Sequence, residues 1–204
     1  GPESLNMNST YTTTANNTAG ANLRYICGHI YGRAPYSLNL GKEVWMTEHY
    51  TNTNNANGWP DALGVAKEIH DVMAAGWSMY VWWYIRRSYG FLDESGNVTK
   101  RGYMIAHWAK WVRPGYNKIS CTANPTPGVY VTAYKSGSRI VIVAINQNTS
   151  ITYQPFNLSG ATVSGFNRYR TTSSSNLAQD SFTISGGSFG INLPASSVTT
   201  LVSQ

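Results

Sequence analysis

The hydrophobic period of this chain changes once, and that change divides it. Up to about residue 114, short apolar runs alternate with segments whose apolar residues recur every three or four positions; from Tyr116 onward they recur every second position. The first pattern belongs to strands and helices in turn, the second to strands alone. Strand, helix, strand and helix in succession imply parallel strands joined by crossovers, hence a doubly wound sheet or a barrel. Short strands with turn residues every eight to twelve positions describe a β-sandwich. The boundary is expected near Pro114, with an α/β part over 1–114 and an all-β part over 115–204.

In the first part a stub at Pro2 to Leu5 and a polar Asn/Thr stretch precede Tyr25 to Gly32 (YICGHIYG), which reads as a buried strand. Val44 to Glu48 (VWMTE) reads as a second strand and Tyr80 to Ile85 (YVWWYI) as a third. Between them, Trp59 to Ala75 is predicted helical: Pro60 suits the first turn, Leu63, Ala66, Ile69, Val72 and Met73 share a face, and Gly76 supplies the stop. A second helix is predicted over Thr99 to Val112, with Met104, Ile105, Trp108, Trp111 and Val112 on one stripe. Three strands cannot close a barrel, which takes about eight units and about 250 residues. In a barrel reading this is therefore the last part of one. In the second part, strands are expected at Val129 to Lys135, Arg139 to Asn146, Ile151 to Leu158, Val163 to Thr172, Ser181 to Ser185, Gly190 to Leu193 and Val198 to Val202. Tyr130, Tyr134, Tyr153, Phe166 and Tyr169 look like alternating core and interface positions there.

Only 12% of the 204 residues are charged, while seven Trp and fourteen Tyr supply flat amphipathic rings that suit sugar faces as well as packing. The net charge of +6 comes from scattered Lys and Arg, not from the clustered stripe that phosphate tracking needs, so no nucleic-acid partner is expected. It suits an acidic polysaccharide and equally suits simple solubility. Cys27 and Cys121 match no metal or redox spacing and read as buried small residues or strand positions. His29, His49, His70 and His107 form no metal-ligand spacing, and His70 and His107 read as structural helix residues. Neither a metal nor a cofactor is expected. No run approaches a membrane span. No secretory leader is present, but the opening GPESLNMN begins as if mid-fold and leaves export open.

Nine carboxylates make elimination practical. Asp61, Glu68 and Asp71 fall mostly opposite the apolar stripe of the first helix and read as solvated; Asp93 and Glu94 flank a DESGN turn; Asp180 sits in a sandwich loop; Glu43 precedes its strand. Glu48, and less clearly Glu3, ends a candidate barrel strand, where a barrel carries its catalytic groups. Position alone leaves Glu48 either functional or a satisfied structural acid.

WMTEHY at Trp45 to Tyr50, VWWYIRRSYG at Val81 to Gly90, TKRGYMIAHWAKWVRPG at Thr99 to Gly115 and the strands VYVTAYK and IVIVAIN resemble glycoside hydrolase family 30, in its glucuronoxylan-specific endo-xylanase branch. The resemblance runs from PES at Pro2 to the VTTLVSQ tail. It implies a partial (β/α)8 TIM barrel, about its last three to four units, followed by a side β-sandwich, and retaining hydrolysis in a secreted enzyme. It places the nucleophile on Glu48. The acid/base of the family lies in an Asn-Glu-Pro motif that this sequence lacks, so an N-terminal half, as a separate chain or segment, is the implied partner. Retention requires two carboxyl groups about 5–5.5 Å apart, and the nucleophile needs hydrogen bonds to stay ionised. Tyr84 and His29 are the candidates to supply them.

By the same resemblance Arg87 binds the carboxylate of a glucuronic acid side chain on xylan, with Ser88, Tyr89 and Tyr50 beside it; the planar guanidinium fork suits a carboxylate. Thr53 stands where the family often carries a serine. Of Trp82 and Trp83, one is expected in the core and the other in the cleft, and Trp83 is counted as substrate-binding; the alternative for Arg86 and Arg87 is that both pair with barrel acids, and for Arg86 it is the favoured reading. The rivals are a family 30 hydrolase of another β-glycan, and a non-catalytic carbohydrate-binding fragment.

Overall fold

The computed structural model describes residues 8–51 and 53–204. The expectations placed on Pro2 to Leu5, Glu3 included, lie outside them.

Helix α1 (Asn8–Ala19) occupies the polar Asn/Thr stretch that no apolar stripe marks as helical. Strands β1 (Tyr25–His29), β2 (Glu43–Glu48) and β3 (Met79–Tyr80) form a parallel sheet in that order. One face is apolar: Ile26, Val44 and Met46 pack with Val72 and Trp77. On the other face Tyr25 stacks on Trp45 with ring centroids 3.9 Å apart. β1 is shorter than expected because its pairing with β2 becomes irregular between Gly28 and His29. β3 is shorter still. Beyond Tyr80 two bonds to β2's end persist, Val81 N–H to Met46 O at 3.0 Å and Trp83 N–H to His49 O at 2.9 Å. The chain then leaves the sheet, so the aromatic run that reads as a strand is mostly loop.

Helix α2 (Trp59–Ala74) begins at Gly58 with Pro60 in its first turn and ends before Gly76, whose φ of 89° favours glycine. Helix α3 (Lys100–Ala109) is capped by Thr99, whose side-chain oxygen accepts the Gly102 N–H at 3.1 Å. A Cβ at Gly102 would stand 2.3 Å from Phe91 O, so only glycine allows this closeness.

Beyond Pro114 come β4 (Asn117–Ile119), β5 (Val129–Ser136), β6 (Arg139–Asn146), β7 (Thr152–Asn157), β8 (Gly165–Thr171), β9 (Ala178–Thr183), β10 (Ser188–Leu193) and β11 (Ser197–Ser203). They make a six-stranded sheet, β4-β5-β6-β11-β8-β9, and a two-stranded one, β10-β7. Alternate residues of the large sheet serve two cores. Val131, Ile140, Ile142, Phe166 and Leu201 meet the small sheet's Ile191 and Leu193. Tyr134, Val141, Val143, Ile145 and Val202 meet Leu63, Ile69, Met104 and Trp108 of the two helices. Burial on both faces is why β6 reads IVIVAI without polar alternation. The apolar contacts thus run unbroken across Pro114.

Two expectations change. Cys121 is exposed and lies in no strand, whereas Cys27 is a half-buried strand position of β1; both are free thiols. Tyr153 is 63% exposed, so it belongs to neither core.

Candidate active site

Parallel strands point their C-terminal ends the same way, so the ends of β1 and β2 bring His29 and Glu48 together by register. His29 Nδ1 lies 3.8 Å from Glu48 Oε1, beyond hydrogen-bond length, and their side chains are 20% and 25% exposed. The hydroxyl that does reach the carboxylate comes from Tyr31, two residues past β1, donating to Oε1 at 3.2 Å. Burial, reinforced by the Glu48 charge, holds the Tyr31 phenol well above its ordinary range, so it stays a donor. Its ring touches His49 at 4.8 Å and Tyr50 at 5.7 Å between centroids. No hydrogen bond joins Tyr84, the other expected donor, to Glu48 among the described residues; its ring lies against Trp83 with centroids 4.1 Å apart and a tilt of 30°.

Behind Glu48 lies a second carboxylate that is not solvated as its position suggested. Glu68 Oε1 is 2.8 Å from His49 Nδ1 and accepts the Tyr80 hydroxyl at 2.5 Å. The signal was there in the spacing: Val65, Glu68, Ile69 and Val72 fall on one helical stripe. A carboxylate on that stripe faces inward and must be paired.

The loop at 82–92 carries the other expected residues. Trp82 is buried and Trp83 is 41% exposed. Their peptide neighbour, Trp83–Tyr84, is cis. The Arg87 guanidinium stands 5.0 Å from the centroid of the Tyr84 ring. Arg87 and Arg86 pair with no carboxylate among the described residues; Arg86 instead donates to the carbonyl of Glu94. Tyr50 and Tyr89 meet at 5.2 Å, which joins the loop after β2 to this one. Ser88 O accepts the Ala56 N–H at 3.2 Å, and Ser88 Oγ donates to Asn54 at 3.5 Å.

Thr53 is differently engaged than expected. Its hydroxyl and its carbonyl both accept from Arg101, the carbonyl at 3.1 Å. Arg101 is fully buried and escaped notice because helix α3 reads as an ordinary amphipathic helix with a basic start. His107 and His70 are buried on the helices, as structural residues are; His107 bridges Thr200 at 2.7 Å and Thr171 at 2.8 Å.

Among the described residues no group of three or more His, Cys, Asp and Glu could hold a metal ion, and no helix is long and apolar enough to cross a membrane. A groove of about 610 Å³ lies on the sandwich, lined by Cys121, Val131, Ile142, Phe156 and Leu158 among others, and contains none of the residues around Glu48. The arrangement at Glu48 is one carboxylate held by a phenol whose ring touches His49 and Tyr50, and Arg87 stands over the Tyr84 ring with no carboxylate partner among the described residues. It can attack or stabilise a cationic centre; among the described residues no carboxyl group contacts Glu48, and Glu68 is engaged by His49 and Tyr80.

No protein-family model matches the chain. It is 47% identical to glucuronoxylanase XynC of Bacillus subtilis over 195 residues, 89% of this chain and 46% of that protein. It superposes on a GH30 endoxylanase of Clostridium papyrosolvens with a TM-score of 0.89 and 35% identity, covering 100% of this chain and 55% of that one. On a glycoside hydrolase family 30 subfamily 8 xylanase of Clostridium acetobutylicum the TM-score is 0.91 with 33% identity, covering 100% and 55%. The chain spans about half the length of these relatives.

Proposed function

Since the chain belongs to glycoside hydrolase family 30, we propose that it is the nucleophile-bearing part of a retaining endo-β-1,4-xylanase that acts on glucuronic-acid-substituted xylan. The observation that carries the reading is Glu48, at the C-terminal end of a parallel strand and held by the Tyr31 hydroxyl at 3.2 Å. In this reading Glu48 attacks the anomeric carbon and forms a glycosyl ester, while a carboxylic acid outside this chain protonates the departing oxygen. Water then cleaves the ester with the same acid acting as base. The acid/base comes from an N-terminal segment, which would also complete the (β/α)8 barrel whose C-terminal part is the region over 1–114. The sandwich over 115–204 is its side domain. A polymer of xylan's size does not cross a cell envelope, so the enzyme works outside the cell. Arg87, exposed and without a carboxylate partner among the described residues, reads the acidic side chain, with Tyr50, Tyr89, Ser88 and Trp83 around it.

The test is Glu48→Gln in the chain combined with its acid/base-bearing segment. The amide fills the same volume and cannot form the ester, so hydrolysis of glucuronoxylan should vanish while binding persists. Retention of even a tenth of the turnover would sink the nucleophile assignment.

A further inference from the structure

Two loops carry the residues proposed to read the acidic branch, the segment after β2 with Tyr50, and the loop at 82–92 with Trp83, Arg87, Ser88 and Tyr89. Neither loop belongs to a strand or helix that would fix its place. One side chain touches both. Arg101 Nη1 donates to Thr53 O at 3.1 Å and to Tyr89 O at 3.0 Å, and Nη2 donates to Thr53 Oγ1. Its guanidinium also stands 5.7 Å from the Trp82 ring centroid, and Nη2 is 4.0 Å from Asp61 Oδ2. Its backbone joins in, since the Arg101 N–H donates to Ala56 O at 3.2 Å.

Arg101 is 0% exposed. A guanidinium is rarely taken wholly out of water, and one that is must be held by several acceptors. Here those acceptors are mostly loop carbonyls, not a carboxylate, and its Nε has no hydrogen-bond partner. Stability alone would be served as well by an apolar side chain of this volume. What an apolar residue could not do is hold two irregular segments at one separation, because three donors in one rigid plane fix both distance and orientation.

We infer that Arg101 is a positioning residue for specificity: it sets the gap between the two loops, and thereby the preference of the site for xylan carrying a glucuronic acid branch over undecorated xylan. This rests on the reading of Arg87 and its neighbours given above. Selectivity is in that case stored in a buried clamp as well as in the arginine that meets the sugar. Lysine is a poor replacement: one ammonium at the Nη1 position would give up the second nitrogen's bond to Thr53 Oγ1 and the rigid plane that orients both loops.

The experiment compares Arg101→Lys with the parent in the complete catalytic unit, this chain with its acid/base-bearing segment, on glucuronoxylan and on undecorated xylohexaose. The ratio of kcat/KM values for the two substrates should fall at least tenfold, with the loss in KM for the acidic polymer. A parallel fall on both substrates, or a ratio within twofold of the parent's, overturns the inference. Thr53→Val removes one acceptor of the clamp and leaves Arg101 in place, so it serves if the lysine variant does not fold. Amide exchange adds an arm free of substrate: the Ala56 N–H, bonded to Ser88 O across the same two loops at 3.2 Å, should lose protection in both variants. Unchanged exchange there also overturns the clamp. A parent enzyme with no preference for the acidic polymer would instead sink the reading of Arg87, and the inference with it.

Discussion

The Tyr31 hydroxyl donates to Glu48 at 3.2 Å, reaching from the turn after β1 to the end of the neighbouring parallel strand β2, 17 positions on in sequence. Among the described residues the phenol is the hydrogen-bond donor to this carboxylate, whereas His29 stays 3.8 Å away. Replacing Tyr31 by Phe removes the bond and keeps the ring contacts with His49 and Tyr50. A hydrogen bond to a charged group contributes roughly 1.5–3 kcal/mol, so kcat/KM should fall between about tenfold and a hundredfold. Steady-state kinetics on glucuronoxylan checks it. Because the folded phenol titrates well above the ordinary value of about 10, absorbance at alkaline pH should show the parent and Tyr31→Phe ionising alike near pH 10, with Tyr31 adding its absorbance only beyond it.

Arg87→Ala should damage hydrolysis of glucuronoxylan selectively. The bidentate, charge-assisted contact proposed for it is worth roughly 1.5–3 kcal/mol, or tenfold to more than a hundredfold in specificity. Undecorated xylooligosaccharides lack the carboxylate and should lose little. An equal loss on both substrates would mean that Arg87 supports the loop instead of reading the branch.

Glu68 binds two groups at once, and its removal leaves both without their acceptor. Glu68→Ala strands the buried Tyr80 hydroxyl and the His49 ring nitrogen, at about 1–3 kcal/mol for each group left unsatisfied. A urea midpoint displaced to lower concentration with an unchanged slope is expected. Glu68→Gln, which still accepts from Tyr80, should recover part of that loss. If the alanine variant were as stable as the parent, the pairing would have no weight in the fold.

The two buried helix histidines make stability depend on pH. Burial holds His107 at about 3 and His70 at about 4 in the folded chain, against about 6.5 when unfolded. As pH falls below about 6.5 the unfolded chain takes up protons that the folded chain refuses. The stability contributed by the neutral rings is therefore complete above that value and is lost on descending toward 4 and then 3. Each ring contributes a slope of about 1.4 kcal/mol per pH unit in that window. Urea midpoints measured at pH 7, 5.5 and 4.5 should decline in step, and His107→Gln should reduce the slope by one ring's share. Equal slopes in parent and variant would contradict it.

What the sequence made legible followed from burial with a period. The helix at 59–74 and most sandwich strands were readable because their apolar residues recur at 3.6 or 2, β6 because its apolar run is unbroken, and Glu48 because a carboxylate ending an apolar strand stands out. Three things were hidden for physical reasons. Helix α1 has no apolar stripe, so nothing local distinguishes NSTYTTTANNTA from a loop. The run YVWWYI is apolar on successive positions whether it pairs or not, and only the tertiary structure shows that pairing lapses after Trp83. Arg101 is an arginine at the start of a helix, where charge is ordinary; its burial comes from loops distant in sequence, at Thr53 and Tyr89. Glu68, by contrast, was recoverable from its place on the stripe with Val65 and Val72.

The large sheet of the sandwich buries one face against two strands of its own kind and the other against helices α2 and α3. For anyone recombining relatives of this chain, residue 114 is consequently a poor crossover point, although the secondary structure changes character there. A chimera joined at that seam would mate Leu63, Ile69, Met104 and Trp108 from one parent with Tyr134, Val141, Val143 and Val202 from another, two surfaces never selected to interdigitate. The helices that meet this sheet also carry Glu68 and Arg101, so a mismatch in the seam would be inherited by the groups behind Glu48 and by the loops that carry Thr53 and Tyr89. Parental blocks that keep both sides of the seam together are the ones that should yield working hybrids.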